Sequence, residues 1–394
     1  MQNATQDSDS DTDTSNPAES KIAEPKTAEL KRAEPKTAEP KVAKTRQPRV
    51  KRQKVIDIGG TLVKPGEKAL VELPVANLYT NTAMYLPVHV VNGKVPGPTL
   101  FVSAAIHGDE LNGVEIIRRL LTKRSFERLK GCLICIPVIN GFGMLQHSRY
   151  SPDGRDLNRS FPGSERGSLS ARLCHIFLEQ VVKQCDYGID LHTGAQHRSN
   201  LPQIRGNLDD ELIASLAAAF GVPVLLNANE RDGSLRQVAS ENQVKVLLYE
   251  AGEALRYDEV SIKVGVNGIL NVMRALGMIG HSRRRKPMPE PYVARSSRWL
   301  RAPGSGSFQL RVQLGDRVNK GDLVGTVVDP TNIFSGVSTR LVCPYDGIVI
   351  GQSRLPLVNE GDAVLHLARF EEDVAEIEAD MGIFNETYGG DEIG

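Results

Sequence analysis

Long apolar runs are missing from this 394-residue chain: nothing in it approaches the roughly 20 apolar residues that a membrane-spanning helix needs. The first twenty residues are polar and acidic, without the basic and apolar regions of a secretory leader. A protein of the cytoplasm, neither exported nor in a membrane, is expected. Cysteine is scarce. Cys132, Cys135, Cys174, Cys185 and Cys343 are odd in number and irregularly spaced, so no disulfide framework is implied and a reducing compartment fits. An excess of one charge is also lacking, since Lys+Arg and Asp+Glu stand at 48 each, which excludes a global electrostatic design for nucleic acid or an anionic membrane. Any charged partner is read locally. The length exceeds what one hydrophobic core usually supports, so two or more units are expected.

Large apolar and aromatic groups are nearly absent from the N-terminal region, where "DSDSDTDTSNPAES" runs into the Lys-x-Ala-Glu-Pro-like repeat "KIAEPKTAELKRAEPKTAEPKVAKT". Such a segment buries too little surface to offset the entropy of ordering, and its prolines favour extended backbone. Residues 1–54 are therefore expected to be a disordered tail. A larger domain is expected over 55–285, a small β domain over 286–375, and an acidic tail over 376–394, with "GHSRRRKPMPEP" as the linker between the two domains.

Globular patterning begins near Val55. "ALVELPVANL", "AMYLPVHVVNG", "TLFVSAAIHG", "GCLICIPVIN" and "DYGIDLHTG" read as strands, and "NGVEIIRRLL", "DELIASLAAAF" and "GILNVMRALGM" as helices. Alternation of the two types predicts an α/β fold: a mixed, largely parallel sheet with helices on both faces and ligands at the carboxyl ends of its strands. Beyond the linker, short strands punctuated by Gly-Asp turns predict a small all-β sandwich or barrel resembling the biotinyl/lipoyl carrier fold. Its central stretch "VVDPTNIFSGVSTR" has no lysine to modify, so no carrier role is expected.

Against this frame "AAIHGDELNG" places His107 at a strand end and Glu110 three residues on, where one turn of backbone aims both at one point. His192 of "DLHTG" closes another strand and supplies a third donor, leaving one position open for chemistry. Asp190 stands on the same strand face and either accepts the second imidazole N–H or is a purely structural Asp. Between these segments lies "HSRYSPDGRDLNRSFPG", a polar, arginine-rich loop. Guanidinium forks and an amide donor there suit a substrate carboxylate.

"AAIHGDELNG", "DGRDLNRSFPG", "DLHTG" and "LLYEAGE", in this order, resemble the succinylglutamate desuccinylase/aspartoacylase family, relatives of the zinc carboxypeptidases, over residues 55–375. The resemblance implies a zinc carboxypeptidase-like fold with one Zn2+ per chain, held by His107, Glu110 and His192. It further implies Glu250 as the catalytic glutamate, with Glu253 the competitor, Asn158 and Arg159 on the carboxylate of an N-acyl amino acid, and Arg149 or Arg155 at the scissile carbonyl. Arg205, Arg231 and Arg236 are candidates for a second carboxylate. A short acyl group is expected, acetyl ahead of succinyl, with no nucleic-acid or membrane partner and the oligomeric state left open, a homo-oligomer included. The alternatives are a carboxypeptidase or amidase acting on peptide ends, and a non-catalytic binding protein. Cys132 and Cys135 of "CLIC" fall on opposite faces of a strand and are read as structural thiols rather than a metal pair. His147, His175 and His197 are read as loop or surface histidines.

Overall fold

The computed structural model describes residues 52–280, 290–332, 334, 336–370 and 384. The expected tail up to residue 51, the linker at 281–289 and, apart from Phe384, the acidic segment 376–394 lie outside the described residues. Contacts to the fold begin by Gln53, whose side-chain amide donates to Asn92 Oδ1 at 2.8 Å. Asn92 in turn donates to the carbonyl oxygens of Lys54 and Val63.

Four parallel strands form the centre of the main sheet, in the order Lys130–Ile136, Val95–Ala104, Tyr187–Gly194 and Lys245–Glu253. Each is a short apolar run buried on both faces. Alternate residues feed two cores: Leu100, Val102 and Ala104 pack with Ile116, Leu120 and Phe220, while Phe101 and Ile134 pack with Leu173 and Phe177 on the other side. Phe101 meets the Phe177 ring edge-on at 5.9 Å. Cys132 and Cys135 divide the same way, one to each core, and both are fully buried. Each buried Leu, Ile or Phe here contributes on the order of 1.5–3 kcal/mol.

The helices that cover these faces start where the sequence caps them. Asp210 accepts the Leu212 and Ile213 amides ahead of Glu211–Phe220, Ser168 that of Ala171 ahead of Leu169–Gln180, and Asp258 that of Ser261 ahead of Glu259–Ala275. Gly221, at φ 91°, closes the first of them. Asn112–Leu121 buries Ile116, Ile117 and Leu120 at helical spacing.

Among the described residues, parallel pairing is confined to this centre and to a side branch through Val224–Asn227, so the sheet is mixed rather than largely parallel. Ala83–Asn92 and Lys68–Asn77 flank one edge as an antiparallel pair. On the other edge the link at residues 195–197 is too short for a crossover, so Arg198–Gly206 returns antiparallel to Lys245–Glu253. Gly347–Ser353, Ala363–Arg369 and Ser296–Arg301 then extend the same sheet. The C-terminal β region thus shares its backbone hydrogen bonding with the central sheet through Arg198–Gly206.

A second, four-stranded antiparallel sheet in the order Ser338–Val342, Leu323–Val328, Gly306–Leu310 and Leu357–Val358 completes that region. Phe308, Val324 and Leu341 pack there with Val349, Leu365 and Leu367. Its Gly-Asp turns share one mechanism: Asp316, Asp322 and Asp362 each accept the backbone N–H three residues earlier, at 2.7–2.8 Å. No helix among the described residues is long and apolar enough to cross a membrane.

Candidate metal centre and active-site cavity

Because the central strands run parallel, their carboxyl ends reach one edge, and the chemistry-bearing residues gather there. Val95–Ala104 is followed by Ala105, held at φ 49°, which swings the chain toward His107. A Cβ at Gly108 would lie 2.1 Å from the carbonyl carbon of Gly143, so only glycine allows this turn. Glu110 N–H then donates to the His107 carbonyl at 3.1 Å, bringing the two side chains together. His192 arrives two residues before the end of Tyr187–Gly194.

The three side chains are buried, and one donor atom from each lies within 4.8 Å of the others. His107 Nδ1 stands 2.7 Å from Glu110 Oε1 and His192 Nδ1 2.9 Å from Glu110 Oε2. The two Nε2 atoms face outward to carboxylates, His192 to Asp190 at 2.7 Å and His107 to Asp156 at 3.2 Å. Two imidazole nitrogens turned inward, a carboxylate between them and an acid behind each ring make a donor set that fits a divalent transition metal. Burial alone would raise the Glu110 carboxyl and lower both histidines. The opposite charges override it, holding Glu110 well below the usual carboxylate range and both imidazoles above theirs. Ser103 adds an outer support by donating to Asp190 Oδ1 at 2.7 Å from the paired strand.

Asp156 was not singled out by the sequence reading, although it heads the "DLNR" motif. It does three jobs: it receives His107, caps Asn158 N–H at 2.8 Å, and pairs with Arg149 at 3.0 Å. Burial would raise its carboxyl, but His107 and Arg149 hold it below the usual range. Arg149 also reaches Glu110 at 3.3 Å. Asn158 is buried with Oδ1 committed to the Leu235 N–H at 2.9 Å, so Nδ2 is the donor its side chain has left. Arg159 follows it on the cavity wall. Arg155 sits apart, exposed on the turn at residues 151–155 and off the cavity wall, because that turn directs its side chain to solvent.

Glu250 faces the cavity from Lys245–Glu253, opposite His192 in the parallel register. Its Oε2 accepts from Asn200 Nδ2 at 2.5 Å and its Oε1 pairs with Arg205 at 3.1 Å. Glu253 lies past a register shift at Gly252, φ 74°, and lines a different cavity with Arg256 and Tyr257. The structure therefore separates the two glutamates that the sequence left in competition. His147 and His197 are exposed, and neither they nor His175 line the cavity.

The cavity encloses about 810 Å³ and carries eight arginines against two glutamates, Glu110 and Glu250. Arg149 and Arg205 are ion-paired, whereas Arg159, Arg198, Arg231, Arg236 and Arg298 have no carboxylate within 4 Å among the described residues. Burial, together with neighbouring guanidinium charge, holds Arg159 and Arg236 below the usual arginine range. One wall comes from the C-terminal β region, where Trp299 stacks on His366 at 4.7 Å and Arg198 lies 5.1 Å from the Trp299 ring. Burial, reinforced by Arg205 and Arg198, pushes His366 down to about 3. No motif pointed to this wall, because its parts lie on strands far apart in the chain.

The chain is similar to several known proteins. Residues 96–276 match the model of the succinylglutamate desuccinylase/aspartoacylase catalytic domain. A curated relative, the N-alpha-acetyl-L-2,4-diaminobutyric acid deacetylase of Halomonas elongata, is 28% identical over 318 residues, covering 78% of this chain and 92% of that protein. The solved succinylglutamate desuccinylase/aspartoacylase from Rhodobacter sphaeroides is 25% identical with a TM-score of 0.69, over 78% of this chain and 97% of that one. A product-bound ectoine utilization protein from Ruegeria pomeroyi shares the fold, at a TM-score of 0.70 and 23% identity over 79% of this chain and 98% of that one.

Proposed function

We propose that the chain is a member of the succinylglutamate desuccinylase/aspartoacylase family and hydrolyses the amide bond of a small N-acyl amino acid. The observation that carries the reading is convergence: His107, Glu110 and His192 share one cavity with Glu250, Asn158 and Arg159. In this reading the three ligands hold zinc, which when bound polarises the scissile carbonyl and makes the attacking water more acidic.

The chain's own groups do the rest. Asn158 Nδ2 and the Arg159 guanidinium hold the substrate carboxylate, fixing the amide relative to the ligand cluster. Arg149 supplies positive charge beside the carbonyl oxygen as it becomes anionic. Glu250 takes a proton from water as the oxygen adds to the carbonyl carbon. It then hands that proton to the nitrogen as the C–N bond breaks, giving free acid and free amine. Asp156 and Asp190 keep the imidazoles oriented throughout.

Residues 295–299 and His366 wall the cavity, which favours a small substrate over a peptide. The unpaired arginines favour an anionic side chain on the amino acid over the cationic one of a diamino acid, because both glutamates already have partners. The test follows amine release from N-acetyl-aspartate, N-acetyl-glutamate, N-succinyl-glutamate, N-acetyl-2,4-diaminobutyrate and short peptides. Acidic substrates are expected to exceed the diamino acid in kcat/KM by about tenfold or more. Arg159→Ala is expected to lower kcat/KM by about 10- to 10²-fold, largely through KM, the scale of one charge-assisted contact. Replacing the substrate carboxylate by a neutral amide should cost the wild type that same factor and the variant little. Peptide turnover alone would favour the carboxypeptidase reading, and turnover of no amide would remove the hydrolase reading.

A further inference from the structure

The two contacts on Glu250 come from a single strand, Arg198–Gly206, whose far side is the C-terminal β region. Asn200 is buried and gives its Nδ2 to Glu250 Oε2. Arg205 stands opposite Leu248 in the register, two residues before Glu250 on the neighbouring strand, and its NH1 takes the other carboxylate oxygen. Both oxygens are thus held from one side, and rotation of the carboxylate breaks both contacts together. Behind Asn200 is Gly351 of Gly347–Ser353, its register partner. A Cβ on Gly351 would sit 2.9 Å from Asn200 Oδ1 and 3.1 Å from the His366 Cβ, so the missing side chain is what lets the Asn200 amide lie where it reaches Glu250.

We infer that Asn200 and Arg205 are positioning residues for Glu250, and that the C-terminal β region sets their geometry through Gly351. The inference rests on the hydrolase reading for its kinetic consequence, but not for its structural one. It gives Arg205 a task different from reading a second substrate carboxylate, and it gives the C-terminal region a task beyond walling the cavity. None of the three residues is a candidate metal ligand, so the clamp acts on proton transfer and not on metal content.

The experiment compares the full-length wild type with Asn200→Ala, Arg205→Met, Arg205→Lys and Gly351→Ala in kcat, KM, metal content and crystal structure. Asn200→Ala and Arg205→Met should each lower kcat by about tenfold or more while KM changes little and metal content stays at the wild-type level. Arg205→Lys should recover part of that loss, and Gly351→Ala should reproduce Asn200→Ala although it alters no polar group of the cavity. In crystals of Asn200→Ala and Arg205→Met the Glu250 carboxylate should leave its wild-type position. A loss confined to KM for acidic substrates in Arg205→Met would overturn the inference and return Arg205 to the substrate. An unmoved Glu250 carboxylate in both variants would also overturn it, and that readout stands even if the wild type cleaves none of the amides offered.

Discussion

His192→Ala is expected to bind well under one metal ion per chain and to lose amide hydrolysis by about 10³-fold or more, since metal-dependent charge stabilisation and water activation are lost together. The imidazole sits between two buried carboxylates, 2.9 Å from Glu110 and 2.7 Å from Asp190. Alanine removes a donor and also strands Asp190, which is completely buried and left with Ser103 as its one remaining side-chain partner among the described residues. Breaking a buried, hydrogen-bonded pair in this way costs about 3–5 kcal/mol, so the variant should also melt earlier than the wild type. Metal analysis and a melting curve on the same preparation check both effects. Full stoichiometric metal in His192→Ala would remove the cluster as the binding site.

Glu250→Gln should separate chemistry from binding. Glutamine keeps the shape of the side chain and can still bond to Asn200, but it cannot take a proton from water. With His107, Glu110 and His192 untouched, metal content and KM should stay near wild type while kcat falls by roughly 10² or more, the scale of lost general-base catalysis. Steady-state kinetics beside metal analysis decide the matter. Near-normal turnover would place the base elsewhere, and Glu253 would be a poor successor because it lines another cavity.

Val95–Ala104, Lys130–Ile136 and Tyr187–Gly194 were legible in the sequence as short apolar runs, whereas Lys245–Glu253, the fourth strand of the centre, was not among the expected strands. Asn112–Leu121 matches the expected "NGVEIIRRLL" residue for residue. Lys68–Asn77 and Ala83–Asn92, the antiparallel pair, were also expected as strands, but the strand on the other edge was less legible. Arg198–Gly206, "RSNLPQIRG", carries arginines and a proline and lacks the alternation of a half-buried strand, and only its neighbours on both sides make it one. The cluster of His107, Glu110 and His192 was readable because two of its members share one turn of backbone and the third lies near the end of a recognisable strand. Asp156, Asn200 and the Trp299–His366 wall were not, because each acts across 49 or more residues of sequence or faces the site only after the C-terminal strands have joined the sheet. The opposing faces of Cys132 and Cys135 followed from strand geometry alone.

Amide hydrolysis is proposed to depend on a metal held by His107, Glu110 and His192. The most direct test is to strip the full-length protein with a chelator, add back zinc in measured equivalents, and follow amine release from an N-acetylated acidic amino acid. Negligible turnover is expected without metal, with recovery that saturates at one equivalent per chain in the wild type and fails in His192→Ala. Undiminished turnover by the metal-free protein would contradict it.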